Sequence, residues 1–198
     1  SFSPTLAVVA SPTDTHLEVF RQLGKQKSIQ LILCEKPFGS NISAAMKMKK
    51  ILDFAGKAAV INFPRRTHPL YLSLKSKIER EGLEKTTIIC RYKGTLENIG
   101  CHLIDILHWI AGPIKPIYAY GSEQSPSFIL IGQSNTQITV IGLNSDYSYE
   151  EFEIEAYFSS SYCKIGMNGT EFIEGKSTPN QHFAGYSTLV KNVKKYPE

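Results

Sequence analysis

Thr5-Leu6-Ala7-Val8-Val9-Ala10-Ser11-Pro12-Thr13-Asp14-Thr15-His16 begins as a short apolar, partly β-branched run, breaks at Ser11-Pro12 and continues into a cluster of helix-capping residues. That text predicts strand, turn and helix, with Thr13, Asp14 or Thr15 capping an amphipathic segment over residues 16–23 that Gly24 stops. A second continuous apolar run, residues 29–34, is interrupted by Glu35-Lys36-Pro37-Phe38-Gly39. Asn41 or Ser43 then caps a helix over 43–54, and residues 58–62 supply a third apolar run. The order is β-α-β-α-β. None of the three strand segments alternates, so each is expected to be parallel and buried on both faces, as in a doubly wound sheet.

After Pro64-Arg65-Arg66-Thr67-His68-Pro69 the character changes. A helix is expected over 70–81, closed by Gly82, then a strand over 86–93 and a helix over 100–111 ended by Gly112-Pro113. Short strands follow at 117–121, 128–131, 137–143, 151–158, 162–167 and 170–174, separated by turn text such as Gly132-Gln133-Ser134-Asn135, Asn144-Ser145-Asp146 and Asn168-Gly169. Residues 151–157 alternate strictly, which predicts an antiparallel strand with one wet and one buried face. A last helix is expected over 186–194. The fold class is therefore α/β plus α+β. Residues 1–63 form a partial doubly wound parallel sheet of the dinucleotide-binding type, and residues 64–198 form a domain with a mostly antiparallel open sheet and helices on one face. Apolar positions fall in both registers of 128–131 and 138–143, so the other sheet face is expected to meet a second subunit.

Composition fits this reading. The chain has 198 residues, 42% hydrophobic and 20% charged, which is globular rather than disordered. No apolar run approaches the roughly 20 residues of a membrane span. The net charge of +4 is dispersed: Lys47, Lys49 and Lys50 share an amphipathic helix with Met46, Met48, Ile51 and Leu52, a solvated face rather than a nucleic-acid footprint. Cys34, Cys90, Cys101 and Cys163 show no C-x-x-C spacing and sit in apolar text, so they read as reduced core thiols of a cytoplasmic protein. The first residue is Ser1 and the first Met is Met46, as expected of a trimmed precursor or part of a longer polypeptide. No G-x-G-x-x-G occurs, although a dinucleotide-binding sheet needs one for the pyrophosphate. An upstream half is expected, and these 198 residues alone are expected not to hold NAD(H) or NADP(H).

Two segments carry chemistry. Lys36 follows a buried parallel strand, at the carboxyl edge where open α/β sheets bind ligands. A partly desolvated lysine there can exchange a proton with a substrate hydroxyl; a strand-end salt bridge with Glu35 is the other reading. In Asn98-Ile99-Gly100-Cys101-His102-Leu103-Ile104-Asp105-Ile106-Leu107-His108-Trp109, a helix would place His102, Asp105 and His108 within an arc of about 120°. H-x-x-D-x-x-H is no established zinc spacing, and no metal is expected. A satisfied core histidine competes with a catalytic one.

Together these segments resemble the Gfo/Idh/MocA family of NAD(P)-dependent oxidoreductases. Residues 7–16 look like its strand and turn at the nicotinamide end, and Glu35-Lys36-Pro37 like its E-K-P signature. Asn62-Phe63-Pro64-Arg65-Arg66 looks like the crossing into its substrate domain, and Gly100-Cys101-His102-Leu103-Ile104-Asp105 like its G-x-H-x-x-D helix. The resemblance implies NAD or NADP as cofactor, bordered by Ser11, Pro12, Thr13, His16, Glu35, Lys36 and a cis Pro37. Lys36 would relay the proton, His102 would meet the carbinol, Arg66 and Asn98 would bind substrate in the same cleft, and Asp105 would hold the substrate or orient the catalytic groups. Many members carry Asp where this chain has Asn98, and an amide cannot act as the base. The Asn-containing version resembles members found with surface-polysaccharide genes. The implied activity is hydride transfer between the nicotinamide and a hydroxyl or keto carbon of a sugar or nucleotide sugar, in a homo-oligomer. A non-catalytic sugar-binding or assembly protein that keeps the fold is the alternative.

Overall fold

A computed structural model describes residues 3–143, 152–166, 171–176 and 193–195, and the chain divides into two compact units, Ser1–Pro64 and Arg65–Glu198. In the first, β1 (Leu6–Val9), α1 (His16–Lys25), β2 (Leu31–Cys34), α2 (Ile42–Ala55) and β3 (Ala58–Ile61) alternate. The strands form a parallel sheet in the order β1-β2-β3. Asn41 caps α2, its side chain accepting from the Ala44 N–H at 2.9 Å. The core of this unit gathers Val9, Ile32 and Cys34 of the sheet with Phe20 of α1 and Met48 and Leu52 of α2.

Two expectations are corrected here. Gly24 does not end its helix, which runs on to Lys25; a Cβ at Gly24 would lie 2.8 Å from Ile51 Cγ2, so the glycine lets α2 pack closely. Nor are the strands buried on both faces. Leu6, Val8, Leu31 and Val60 remain 49%, 63%, 39% and 52% exposed on one face of the sheet. Right-handed crossovers between strands laid down in sequential order put both helices on the same side. Continuous apolar text reports that both faces are hydrophobic, not that both are covered.

The second unit begins with α3 (Pro69–Glu81), β4 (Thr87–Lys93), α4 (Cys101–Ala111), β5 (Lys115–Gly121), β6 (Pro126–Ile131) and β7 (Gln137–Leu143). It continues through β8 (Phe152–Tyr157), β9 (Ser161–Gly166), β10 (Glu171–Lys176) and β11 (Val193–Lys195). Among the described residues, its eight strands are ordered β11-β10-β9-β8-β4-β7-β6-β5. The sheet is antiparallel except for β4 and β7, which pair in parallel. The core joins Ile88, Cys90, Val140 and Ile154 of the sheet to Leu74 and Ile78 of α3 and Leu103, Ile106 and Leu107 of α4. Of the helix expected over 186–194, residues 186–192 lie outside the described residues, and Val193–Lys195 is a strand paired with β10. The turns at 144–146 and 168–169, with Glu151, also lie outside them. Among the described residues, no helix is long and apolar enough to cross a membrane.

Cys34, Cys90 and Cys163 are buried, and none of the four cysteines forms a disulfide. Burial raises the thiols of Cys34 to about 11 and Cys163 to about 12.

The alternating strand β8 turns Phe152, Ile154 and Ala156 into the core and Glu153 and Glu155 the other way, where they meet Arg91 and Lys164. Arg91 Nη1 lies 2.7 Å from Glu155 Oε1 and 3.3 Å from Glu153 Oε2, and Lys164 Nζ lies 2.9 Å from Glu153. Tyr157 donates its hydroxyl to Glu155 at 2.5 Å. Burial would raise the Glu155 carboxyl, but the Tyr157 hydroxyl, Arg91 and Lys164 outweigh it and hold the group below its ordinary 4.5. A carboxylate depressed on folding stabilises above its unfolded pKa, and that contribution disappears as pH falls through the folded value. Glu155→Gln is therefore expected to lower the urea midpoint at pH 7, with the gap to wild type closing below pH 4.5. A gap that stays constant to pH 3 would contradict this ion-pair account.

Candidate functional site

The parallel register sets Val9 beside Cys34, so the segments leaving β1 and β2 emerge side by side at the carboxyl edge of the sheet. The Glu35 N–H donates to Val9 O at 2.9 Å, and the Asn62 N–H to Cys34 O at 2.8 Å. Ser11, Pro12 and Thr13 lie on the first segment, and Glu35, Lys36 and Pro37 on the second. The Lys36–Pro37 peptide is cis. The first turn is braced internally: the Ser11 and Thr15 hydroxyls lie 2.7 Å apart, and the Thr15 hydroxyl donates to Pro12 O at 2.7 Å. Glu35 accepts from Asn62 Nδ2 at 2.7 Å, a contact across 27 residues that no local pattern announces. Lys36 and Pro37 are half-buried.

His16 is placed differently from its neighbours. It is 1% exposed, and its ring lies beneath both segments, with Nε2 2.9 Å from Ser11 O and Nδ1 3.1 Å from Phe38 O.

In the second unit, the Arg66 guanidinium clamps the Asp105 carboxylate through both oxygens, Nε to Oδ2 at 2.7 Å and Nη2 to Oδ1 at 2.5 Å. Asp105 retains 9% of its side-chain exposure and Arg66 41%. A planar two-point pair of this kind fixes orientation as well as charge. Sequence reading singled out both residues but not their pairing, because a separation of 39 positions carries no local signal. His102, one turn before Asp105 on α4, is buried, whereas His108 is exposed. The polar stripe thus runs from interior to surface along one helix face. Asn98 is exposed on a five-residue π-turn, Leu96–Gly100, that leads into α4. Its backbone N–H is capped by the Thr95 hydroxyl at 3.2 Å. A π-turn at a helix entry offsets the preceding residues from the regular helix face, a displacement invisible in the spacing of Asn98 and His102.

Residues 2–63 match the family model GFO_IDH_MocA, described as an oxidoreductase family with an NAD-binding Rossmann fold. No curated protein matches the chain in sequence. Among solved structures, the fold is similar to that of the WlbA dehydrogenase from Bordetella pertussis, determined with NADH and UDP-GlcNAcA. The TM-score is 0.74 and the identity 16%, covering 93% of this chain and 62% of that one. A 3-ketoreductase from Actinomadura kijaniata, determined with TDP-benzene and NADP, has TM-score 0.69 and 13% identity, covering 85% and 60%. Myo-inositol 2-dehydrogenase from Lactobacillus plantarum has TM-score 0.69 and 17% identity, covering 83% and 58%. The chain thus spans less than two thirds of these structures, and at such identities the likeness shows the fold.

Proposed function

We propose, proceeding from the match of residues 2–63 to the Gfo/Idh/MocA oxidoreductase family model, that this chain takes part in hydride transfer between a nicotinamide cofactor and a hydroxyl or keto carbon of a sugar or nucleotide sugar. The observation that carries the reading is that the Ser11–Thr13 turn and Glu35-Lys36-Pro37 leave paired strands side by side at the carboxyl edge of a parallel sheet, where such folds bind their ligands. These residues fit the nicotinamide end of a dinucleotide: two chain segments form one edge, and a lysine stands on it. When bound, the nicotinamide supplies the hydride chemistry. Lys36 holds and moves the proton at its Nζ. Ser11, Pro12, Thr13, Glu35 and Pro37 border the ring, with His16 beneath them. His102 meets the carbinol oxygen of the substrate. Asp105, oriented by Arg66, accepts substrate hydroxyl groups, and Asn98 adds an amide donor and acceptor. Asn98 is no base, so the proton relay rests on Lys36 and His102.

The test is nicotinamide absorbance in the longest polypeptide that contains these residues, mixed with NAD(H) or NADP(H) and a panel of sugars and nucleotide sugars. Hydride exchange with one of them is the expected result. Sugar binding with neither cofactor binding nor exchange would replace this reading with a non-catalytic sugar-binding or assembly protein.

The open sheet face of the second unit supports self-association as part of the same proposal. Tyr118, Ile129 and Tyr157 are 60%, 41% and 40% exposed there, and Tyr118 stacks on Tyr120 with ring centroids 5.9 Å apart. Apolar and aromatic area of this extent is seldom left in water. Light scattering at micromolar concentration is expected to report an oligomer, and a monomer would remove this part of the proposal.

A further inference from the structure

The His16 ring is in contact with three different pieces of chain. Nε2 lies 2.9 Å from Ser11 O on the β1–α1 segment, and Nδ1 lies 3.1 Å from Phe38 O on the β2–α2 segment. Cys34 Sγ, at the end of β2, lies 3.6 Å from the same Nδ1 and 3.4 Å from Glu35 O. A neutral imidazole has one N–H, so it can serve only one of the two carbonyls. With that proton on Nε2, the bond to Ser11 is kept, Nδ1 accepts from the Cys34 thiol, and Phe38 O loses its ring donor. A second proton, on Nδ1, satisfies both carbonyls at once, and the thiol turns to Glu35 O. The ring therefore has two arrangements in which both of its nitrogens are partnered, and they differ at the segment carrying Lys36.

The titratable group in contact with the ring is the Cys34 thiol, which burial raises to about 11, so it stays protonated and can donate in both states. The other charged groups on these elements are Asp14, which is exposed, Glu18 and Arg21, paired with each other at 3.0 Å, Lys25 in the last turn of α1, Glu35, which accepts from Asn62, and Lys36.

We propose that His16 is a positioning residue: its imidazole ties the Ser11 turn to the Lys36–Pro37 segment, and its second proton closes that segment onto the ring through Phe38 O. The inference deepens the oxidoreductase reading, because the residues it positions are those assigned to the nicotinamide edge. On that reading, protonation of His16 sets the order of the segment from which Lys36 works.

The experiment needs no cofactor and no turnover. In the whole chain, the His16 ring nitrogens are followed by 15N chemical shift from pH 5 to pH 9, together with hydrogen-exchange protection of the amides of Glu35, Lys36, Phe38 and Gly39, corrected for intrinsic exchange. Protection is expected to rise about tenfold on acidification, the size of one charge-assisted hydrogen bond, at the same midpoint as the ring titration. His16→Gln, with one donor group in place of two, should abolish the pH dependence. Cys34→Ala, which removes the thiol that favours the neutral ring, should move the ring midpoint to higher pH. Protection that is flat in pH, or that titrates away from the ring midpoint, overturns the proposal, and the wild-type measurement alone decides this if His16→Gln does not fold. Absence of hydride exchange in a protein whose segment still titrates with His16 would remove the oxidoreductase reading and leave the latch in place.

Discussion

In the polypeptide that turns over, Lys36→Ala is expected to lower kcat by about 100-fold or more, the usual contribution of a positioned general acid or base. Its denaturation midpoint should stay close to wild type, with a change within about 0.5 kcal/mol. Lys36 lies two residues beyond Cys34, the last core residue of β2, and it is half-buried at the strand edge, so removing its side chain opens no cavity in the core. Retention of more than about a tenth of the wild-type rate would rule out the proton-relay role, because it falls outside that range. His102→Ala should show a comparable loss of rate. His102 sits beside Leu103 and Ile106 of the second core, so circular dichroism must accompany the kinetics. Unfolding at ordinary temperature would assign the histidine to packing instead.

The largest stability effect is expected at a position no motif marks. Gly142 of β7 leaves no room for a side chain: a Cβ there would stand 2.1 Å from Ser125 O and 2.8 Å from Pro126 O. Those are backbone atoms held from several sides. Ser125 donates its hydroxyl to Gly94 O at 2.6 Å, Tyr92 donates its hydroxyl to Pro126 O at 2.8 Å, and the Gly142 N–H itself donates to Ser127 Oγ at 3.0 Å. Gly142→Ala must push the start of β6 off the sheet and break into this set. A loss of about 3 kcal/mol is expected, at the upper end of the usual overpacking range, measured as a fall in urea midpoint at unchanged slope. A loss below about 1 kcal/mol would mean that β6 can retreat without breaking those bonds.

The division of labour between sequence and structure can be followed element by element. The first unit was legible because strand, cap and helix signals are local: apolar runs of a few residues and Asn41 before α2; Gly82 after α3 gave the same kind of signal in the second unit. The Glu35-Lys36-Pro37 segment and the His102–Asp105 spacing were legible for the same reason, since each lies within one turn or one strand end. Gly24 misled because a glycine has two uses, ending a helix or admitting a neighbour, and the choice belongs to Ile51 on another helix. Gly142 was silent for the same cause.

What the sequence by itself determined, then, is the order and type of the elements and the residue types at the edge of the first sheet, because hydrophobic period, caps and turn chemistry act over a few residues. The tertiary structure alone decided which apolar faces are covered, that β4 and β7 pair in parallel inside an otherwise antiparallel sheet, and that Arg66 reaches Asp105 across 39 residues. It also turned His16 from a residue beside the strand edge into one held under both of its segments. Each of these depends on chain segments far apart in sequence that meet only when burial and strand pairing bring them together, and pairwise contact of that kind leaves no periodic trace in the text of either partner.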